Sequence, residues 1–164
     1  MKLIEHRWVH VIWCDDVRQE VGNKPSFMGI YTGAVVMPSV PSTLPRLTAF
    51  INVGTPKQKP FERLKVRVVR NDSEGSVAEI EMLPEDLKTM TQQIAASQMI
   101  KDAEDAVEPA GIALAFILML SPINITDNTK WLKVFVDTED ETLESFKLRF
   151  TTAQQENSAV QAAS

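Results

Sequence analysis

Apolar and polar residues alternate with a period of two along most of the chain, and this pattern predicts β-strands. From Trp8 to Cys14 both alternating faces are largely apolar, which favours an interior strand. Residues 27–37 form a second β-rich run, whose two glycines fit bulges or close approaches of backbone. Residues 47–53 form a third run, and residues 112–120, apolar on both faces, predict a central strand.

Two pairs of alternating runs predict β-hairpins. The first joins Leu64–Arg70 to residues 77–83 across the turn letters NDSEGS. Pairing its apolar faces places Arg67 near Glu81, an attraction that stabilises a hairpin by a few tenths of a kcal/mol. The second crosses the acidic connector DTEDETLES and aligns two apolar rows, namely Leu132, Val134 and Val136 with Phe146, Leu148 and Phe150.

One segment has helical spacing instead. Pro84 suits the first position of a helix, and two acidic residues follow it in the first turn. Leu87, Met90 and Ile94 then recur at the spacing of one helical face. We therefore expect a helix over residues 84–98 that lies across one end or edge of the sheets.

The connectors complete the architecture. Prolines at positions 38, 41 and 45 predict an extended crossover, because proline interrupts a sheet ladder. The acidic segment 101–111 is expected to be a loop, and residues 153–164 a loose tail. Residues 1–152 then form one mostly β domain, an antiparallel β-sandwich of seven or eight strands with one short helix. Immunoglobulin-like or C2-like topology is expected, and a barrel is the alternative.

Composition narrows the function classes. A chain of 164 residues with 44% apolar and 24% charged residues suits one globular domain. Its net charge of −5 argues against nucleic acid or an anionic membrane as partner. The longest apolar run, residues 110–120, is shorter than a spanning helix requires, and the charged opening does not suit a signal peptide. With a single cysteine, the chain is expected in the cytoplasm.

No residue pattern points to catalysis or to a cofactor. Cys14 and His10 share a strand face but lie about 13 Å apart along it, so His10 cannot activate the thiol. Together with His6 they lack the close spacing of zinc ligands. The six glycines form no phosphate-binding loop. We expect no catalytic residue, metal or cofactor, and we expect Cys14 to behave as a small buried hydrophobe.

The densest polar cluster follows the first strand. Its carboxylates could bind a cation, or its arginine an anion, but short acidic side chains more often accept backbone hydrogen bonds at turns. We expect one hydrogen-bonded polar corner that ties the first strands together. Its candidate members are Asp15, Asp16, Arg18, Glu20, Lys24 and Tyr31.

Two further surfaces are candidates for binding. The basic stretch at residues 57–70 could dock acidic groups, although Glu79 and Glu81 can balance it as a solvated strand face. Trp131 and Phe135 are out of phase with the apolar row of their strand. They should therefore face outward, either under the helix or as a contact with another protein or a second copy of the chain.

The opening resembles a family of small bacterial proteins that share a domain of unknown function. The likeness rests on CDDVRQE, with Cys14, Asp15, Asp16, Arg18 and Glu20, and on Lys24, Ser26, Gly29 and Tyr31 after it. It covers about the first 70 residues, and Pro25 stands where similar proteins usually have an aliphatic residue. The resemblance implies a β-sandwich protein of bacteria or their phages, and it implies no activity, cofactor or catalytic residue.

Three hypotheses of function follow. The first is a non-enzymatic protein–protein interaction module, with Trp131 and Phe135 in the interface. The second is a module that binds a small ligand or divalent cation, built by Asp15, Asp16 and the acidic connector. The third is an enzyme whose site has no recognisable motif.

Overall fold

The computed structural model describes residues 6–96 and 111–153, which form thirteen strands and one helix. In chain order these are β1 (Trp8–Cys14), β2 (Asp16–Glu20), β3 (Lys24–Met28), β4 (Ala34–Met37), β5 (Ser42–Leu44), β6 (Thr48–Pro56), β7 (Leu64–Arg70), β8 (Ser76–Met82), α1 (Pro84–Ala95), β9 (Gly111–Met119), β10 (Ile123–Ile125), β11 (Trp131–Thr138), β12 (Thr142–Glu144) and β13 (Leu148–Thr152).

The chain is mostly β and forms a sandwich, as its alternating pattern predicts. One main sheet has the order β1-β6-β9, and the other has the order β4-β13-β11-β7-β8 with β12 beside β11. This order follows the immunoglobulin pattern. The pair β6 and β9 corresponds to its strands B and E, and the row β13, β11, β7 and β8 corresponds to its strands G, F, C and C′. The described strands do not close into the alternative barrel. The two sheets hold nine strands rather than seven or eight, and one pair, β4 with β13, is parallel.

The core lies between the inner faces of the two sheets. In β7 the buried residues Leu64, Val66 and Val68 alternate with half-buried ones, and β11 repeats the pattern in register beside it. Each fully buried aliphatic side chain contributes about 1.5–3 kcal/mol relative to its exposed state. Burial of these alternating apolar side chains is thus the main stabilisation of the fold.

Strand β1 has the predicted bounds, but among the described strands both β1 and β9 lie at sheet edges, where the sequence predicted interior strands. Within residues 6–96 and 111–153, β9 pairs with β6 alone, so it is an edge strand and not a central one. Its inner residues Ile112, Leu114 and Leu118 are buried. On its outer face, Ile117 is 44% exposed and Met119 is 74% exposed. An apolar outer face therefore does not mean that a second layer covers it.

The predicted run at residues 27–37 is two strands rather than one. Gly29 has φ +63° and Gly33 has φ +116°, left-handed values that interrupt an extended strand. The chain pairs β3 with β2 before this break and β4 with β13 after it. The glycines therefore mark a crossover between sheets and not bulges within one strand.

The proline-rich connector crosses from one main sheet to the other, as predicted, and part of it also forms a short ladder. Between Pro41 and Pro45 the short strand β5 pairs with β10, with Leu44 opposite Ile123. The prolines themselves lie outside this three-residue ladder, where no backbone donor is required of them.

The first predicted hairpin is confirmed as β7 and β8, but one predicted contact in it is wrong. Arg67 lies opposite Glu79, and Lys65 lies opposite Glu81. The actual ion-pair partner of Arg67 is Asp137 on the neighbouring strand β11. Apolar faces define which residues point inward, but the pairing of the outward charges depends on the register between strands.

The second predicted hairpin is only partly correct. β11 pairs with β12 near one end and with β13 near the other, because the returning chain leaves the ladder between them. Phe146 lies in this break and is 97% exposed, so it is not part of the apolar row that was predicted for it.

Helix α1 begins at Pro84 as predicted and is helical through Ala95, with Leu87 buried against the core. It contacts β9. At twelve residues it is too short to cross a membrane, and the described part of the chain holds no longer helix. The predicted end of the helix at residues 97–98, the acidic loop up to residue 110 and the tail from residue 154 lie outside the described residues.

Candidate functional site

The polar corner predicted after β1 centres on Asp15 and Tyr31. The hydroxyl of Tyr31 donates a hydrogen bond to Oδ1 of Asp15. The backbone N–H of Asp15 donates to the carbonyl of Met28 at 2.9 Å, and the N–H of Tyr31 donates to the carbonyl of Trp13 at 2.8 Å. A Cβ atom at Gly29 would lie 2.0 Å from Oδ2 of Asp15, so only glycine fits there. These contacts fasten the β2–β3 hairpin to the end of β1.

The remaining members of the corner lie further out. Oδ2 of Asp16 is 3.6 Å from Nε of Arg18 and 3.7 Å from Arg46, a residue that the sequence interpretation missed. Glu20 lies opposite Lys24 in the β2–β3 ladder. The structure thus brings the six candidates together as three successive pairs along one hairpin, and not around a common centre.

The acidic connector after β11 is organised by Arg7, which was not predicted as a site residue. The Arg7 guanidinium donates to Glu139, and it donates to Oγ1 of Thr138 at 2.9 Å. It also lies over the ring of Phe61, 4.8 Å from the centroid, and Arg7 is only 7% exposed. Because the backbone N–H groups of Glu62 and Arg63 also donate to Glu139, the connector is tied to the chain before β7.

This position contradicts the cation site predicted from Asp15, Asp16 and the acidic connector together. Arg7 precedes β1, whereas Asp15 follows it, and eight extended residues span about 26 Å. The two acidic groups therefore lie at opposite ends of the strand. Among residues 6–96 and 111–153, no three histidine, cysteine, aspartate or glutamate side chains are gathered for a metal ion.

The pKa of Glu139 shows how strongly the connector is held. Burial raises the pKa, but hydrogen bonds from Arg7 and from three backbone N–H groups outweigh burial and lower it from 4.5 to about 2. A hydrogen bond from Arg67 also lowers the pKa of Asp137, against the opposite effect of burial. These carboxylates are stabilised as anions by the fold itself.

Cys14 is fully buried, as expected of a small hydrophobe. Its Sγ lies 3.9 Å from the carbonyl of Thr48. Burial, followed by the negative charge of Asp15, raises the pKa of the thiol above its ordinary value. At neutral pH the sulfur is therefore protonated and a poor nucleophile.

The outward side of β11 carries the two aromatic residues predicted to face solvent. Both are half-buried, with one cation over the ring of Trp131 and two over that of Phe135. Lys147 Nζ lies 4.6 Å from the centroid of Trp131, and Lys133 Nζ lies 5.1 Å from that of Phe135. Arg67 Cζ lies 5.5 Å from the same Phe135 ring. We call this surface the cation–aromatic face, consisting of Arg67, Trp131, Lys133, Phe135, Lys147 and Arg149.

The charges on this face differ in how far they are neutralised. Arg67 pairs with Asp137, and Lys133 pairs with Glu144. Arg149 lies directly opposite Trp131 in the β11–β13 ladder and is exposed. Within the part of the chain that the structure describes, neither Lys147 nor Arg149 has an ion-pair partner.

Most of the basic stretch at residues 57–70 is neutralised locally. Lys59 pairs with Asp140, and Lys65 lies 3.0 Å from Glu79. The stretch is a solvated strand face, the alternative to acidic docking that the sequence also allowed.

An open groove of about 960 Å³ runs beside the cation–aromatic face, and no sequence pattern predicted it. On one side it is lined by Val9, Val11 and Trp13 of β1. The opposite side is formed by the segment that joins β12 to β13 and by Arg149. We call it the β1 groove.

No protein-family model matches the chain, and no curated protein matches it significantly. The resemblance carried by residues 14–31 therefore stays a prediction.

Proposed function

We propose that this chain is a non-enzymatic protein-binding module of bacterial or phage origin, and that the cation–aromatic face is its interface. The observation that carries the proposal is the exposed Lys147, which lies over Trp131 without a carboxylate partner among the described residues. A partner that supplies carboxylates and apolar groups would neutralise this charge and cover the ring. A cytoplasmic location is part of the proposal and is supported by the single, buried thiol of Cys14.

The composition of the face supports a protein as the partner. Tryptophan and arginine are enriched where protein interfaces gain most of their binding energy. A cation over an aromatic ring contributes about 0.5–1 kcal/mol at an exposed site and more when a partner removes water from it. With a net charge of −5, the chain as a whole does not attract a polyanion such as nucleic acid.

The test compares two double variants of the tagged protein as baits in bacterial lysate. Trp131→Ala with Phe135→Ala removes the rings of the proposed interface. Ile117→Ala with Met119→Ala removes exposed apolar side chains from the other main sheet and is the matched control. Thermal unfolding of each variant verifies that the sandwich is intact.

We expect one protein to co-purify with the wild type and with the control variant, and to be lost from the Trp131/Phe135 variant. Light scattering on the purified chain identifies the case in which the partner is a second copy. Retention of the same partner by the Trp131/Phe135 variant would contradict the proposed interface.

A further inference from the structure

Among the described residues, the outer edge of β1 is paired only at one end. The N–H of Tyr31 donates to the carbonyl of Trp13, which forms a single antiparallel bridge. Beyond Tyr31 the chain turns away at Gly33 and joins the other sheet at β4. Among residues 6–96 and 111–153, no strand continues along the edge past Trp13.

The unpaired part of this edge offers backbone hydrogen-bonding groups to the β1 groove. In a strand, the N–H and C=O of alternate residues point to the same side. Since the carbonyl of Trp13 points to the outer edge, the backbone groups of Val9 and Val11 do so as well. Their side chains pack against the core and line the groove, where both are half-buried.

The groove also has a charged side and an orphaned donor. Lys147 and Arg149 line it opposite β1, and both are exposed. The buried indole N–H of Trp13, which lines the groove as well, has no hydrogen-bond partner in the described part of the chain. The groove therefore combines an apolar surface, free backbone groups and positive charge.

We infer that the β1 groove binds an extended acidic segment of a partner protein, which adds to β1 as an antiparallel strand. The segment continues the ladder that the Tyr31 bridge begins, a mode in which main-chain hydrogen bonds provide affinity and alternate side chains provide specificity. Its carboxylates occupy the positions opposite Val9 and Val11, from which they face Lys147 and Arg149 across the groove, and its apolar side chains lie at the intervening positions. The inference rests on the proposed function, because these two cations border both the groove and the cation–aromatic face.

The direction of pairing makes a specific prediction about the bound segment. In an antiparallel pair, directly opposite residues have side chains on the same side of the sheet. The residues opposite Val9 and Val11 therefore turn their side chains into the groove, on the same side as Val9 and Val11, and their N–H groups to β1. An N-methyl group on those residues blocks pairing, whereas one on the intervening residues does not.

The experiment measures the anisotropy of a fluorescein-labelled peptide of alternating aspartate and valine, titrated with the full chain. Three further peptides have N-methyl groups on the valines, N-methyl groups on the aspartates, or lysine in place of aspartate. The protein is also tested as Lys147→Glu with Arg149→Glu. Lys24→Glu with Lys88→Glu is the control, since both lysines are exposed and line neither the groove nor the face.

We expect saturable binding of the acidic peptide, unchanged by N-methylation of its valines. N-methylation of the aspartates, lysine in place of aspartate, and the Lys147/Arg149 variant should each weaken it by at least about tenfold, whereas the control variant should not.

Two results would overturn the inference. Equal binding of the aspartate-methylated peptide would show that the peptide does not pair with β1, while leaving the cation–aromatic face as a protein-binding surface. If the acidic peptide shows no saturable binding at millimolar concentration, the groove is not a site for such peptides. The proposed function is then judged separately, by whether the Trp131/Phe135 bait still captures its partner.

Discussion

Tyr31 and Asp15 form the contact that most directly joins the opening polar residues to the fold. Their hydrogen bond lies where the β2–β3 hairpin meets β1, beside a glycine that leaves room for the carboxylate. Burial, then the hydrogen bond and charge of Asp15, raise the pKa of Tyr31 from 10 to about 12. Because the folded pKa is the higher one, this stabilisation is complete below pH 10 and is lost as the pH rises through about 12.

The single tyrosine makes this contact measurable. We expect Asp15→Asn to lower the pKa of Tyr31 toward 10, and to leave it above that value because burial persists. Absorbance of tyrosinate during an alkaline titration measures the change. Asp16→Asn is the matched control, since Asp16 pairs with Arg18 and Arg46 instead. An equal shift in both variants would contradict the assignment of the hydrogen bond.

The lowered pKa of Glu139 predicts how the stability of the folded protein changes in acid. Its folded pKa lies below its ordinary value, so its contribution is present above pH 4.5 and is lost as the pH falls through about 2. A shift of this size corresponds to about 3 kcal/mol. Between pH 7 and pH 2, we expect the free energy of unfolding of Glu139→Gln, measured by chemical denaturation, to fall by about 2–3 kcal/mol less than that of the wild type. Glu74→Gln, in the exposed turn before β8, should keep the wild-type pH dependence; equal acid sensitivity of all three proteins would refute this role.

At the scale of elements, the alternating pattern predicts which residues form strands better than it predicts which strands pair. β1, β7, β8 and β11 lie where the apolar period placed them. The position of β9 could not be inferred, because an apolar face has the same sequence signature whether it is covered or exposed. The break at Gly33 was also ambiguous, since a positive φ serves a bulge and a crossover equally well.

The two faces of β9 should respond differently to truncation. Leu114→Ala removes a buried side chain and should lower the free energy of unfolding by about 2–5 kcal/mol. Met119→Ala on the exposed face should change it by less than about 0.5 kcal/mol. Urea denaturation measures both. A large loss for Met119→Ala would mean that another part of the chain covers the outer face.

The register between β7 and β11 makes a further prediction. Two hydrogen bonds join Arg67 to Asp137, at 2.5 and 3.0 Å, so a double-mutant cycle to alanine should give a coupling of about 1 kcal/mol. The cycle with Glu81, the partner expected from the sequence, should give less than about 0.3 kcal/mol. Stronger coupling to Glu81 than to Asp137 would contradict the register.

At the scale of the whole molecule, the candidate sites depend on contacts between distant segments. The polar corner was predictable, because its members lie within about one hairpin of each other. The cation–aromatic face was predictable only as an out-of-phase aromatic pair, since Lys147 reaches it from the segment before β13 and Arg67 from β7. The role of Arg7 could not be predicted from any sequence pattern, because its partner Glu139 is 132 residues away. The β1 groove arises from the strand order and has no sequence pattern of its own.

The most direct test of the central claim is site-specific cross-linking on the two outer faces of the sandwich. Because Cys14 is the only cysteine and is buried, a thiol-reactive photo-cross-linker will attach to one introduced surface cysteine. Ala34→Cys places it beside Arg149, at the edge of the cation–aromatic face, and Met119→Cys places it on the other main sheet. The account predicts that a bacterial lysate yields a discrete protein adduct from the Ala34 position and none from the Met119 position. An adduct from Met119 alone, or the same adducts from both positions, would contradict the assignment of the interface.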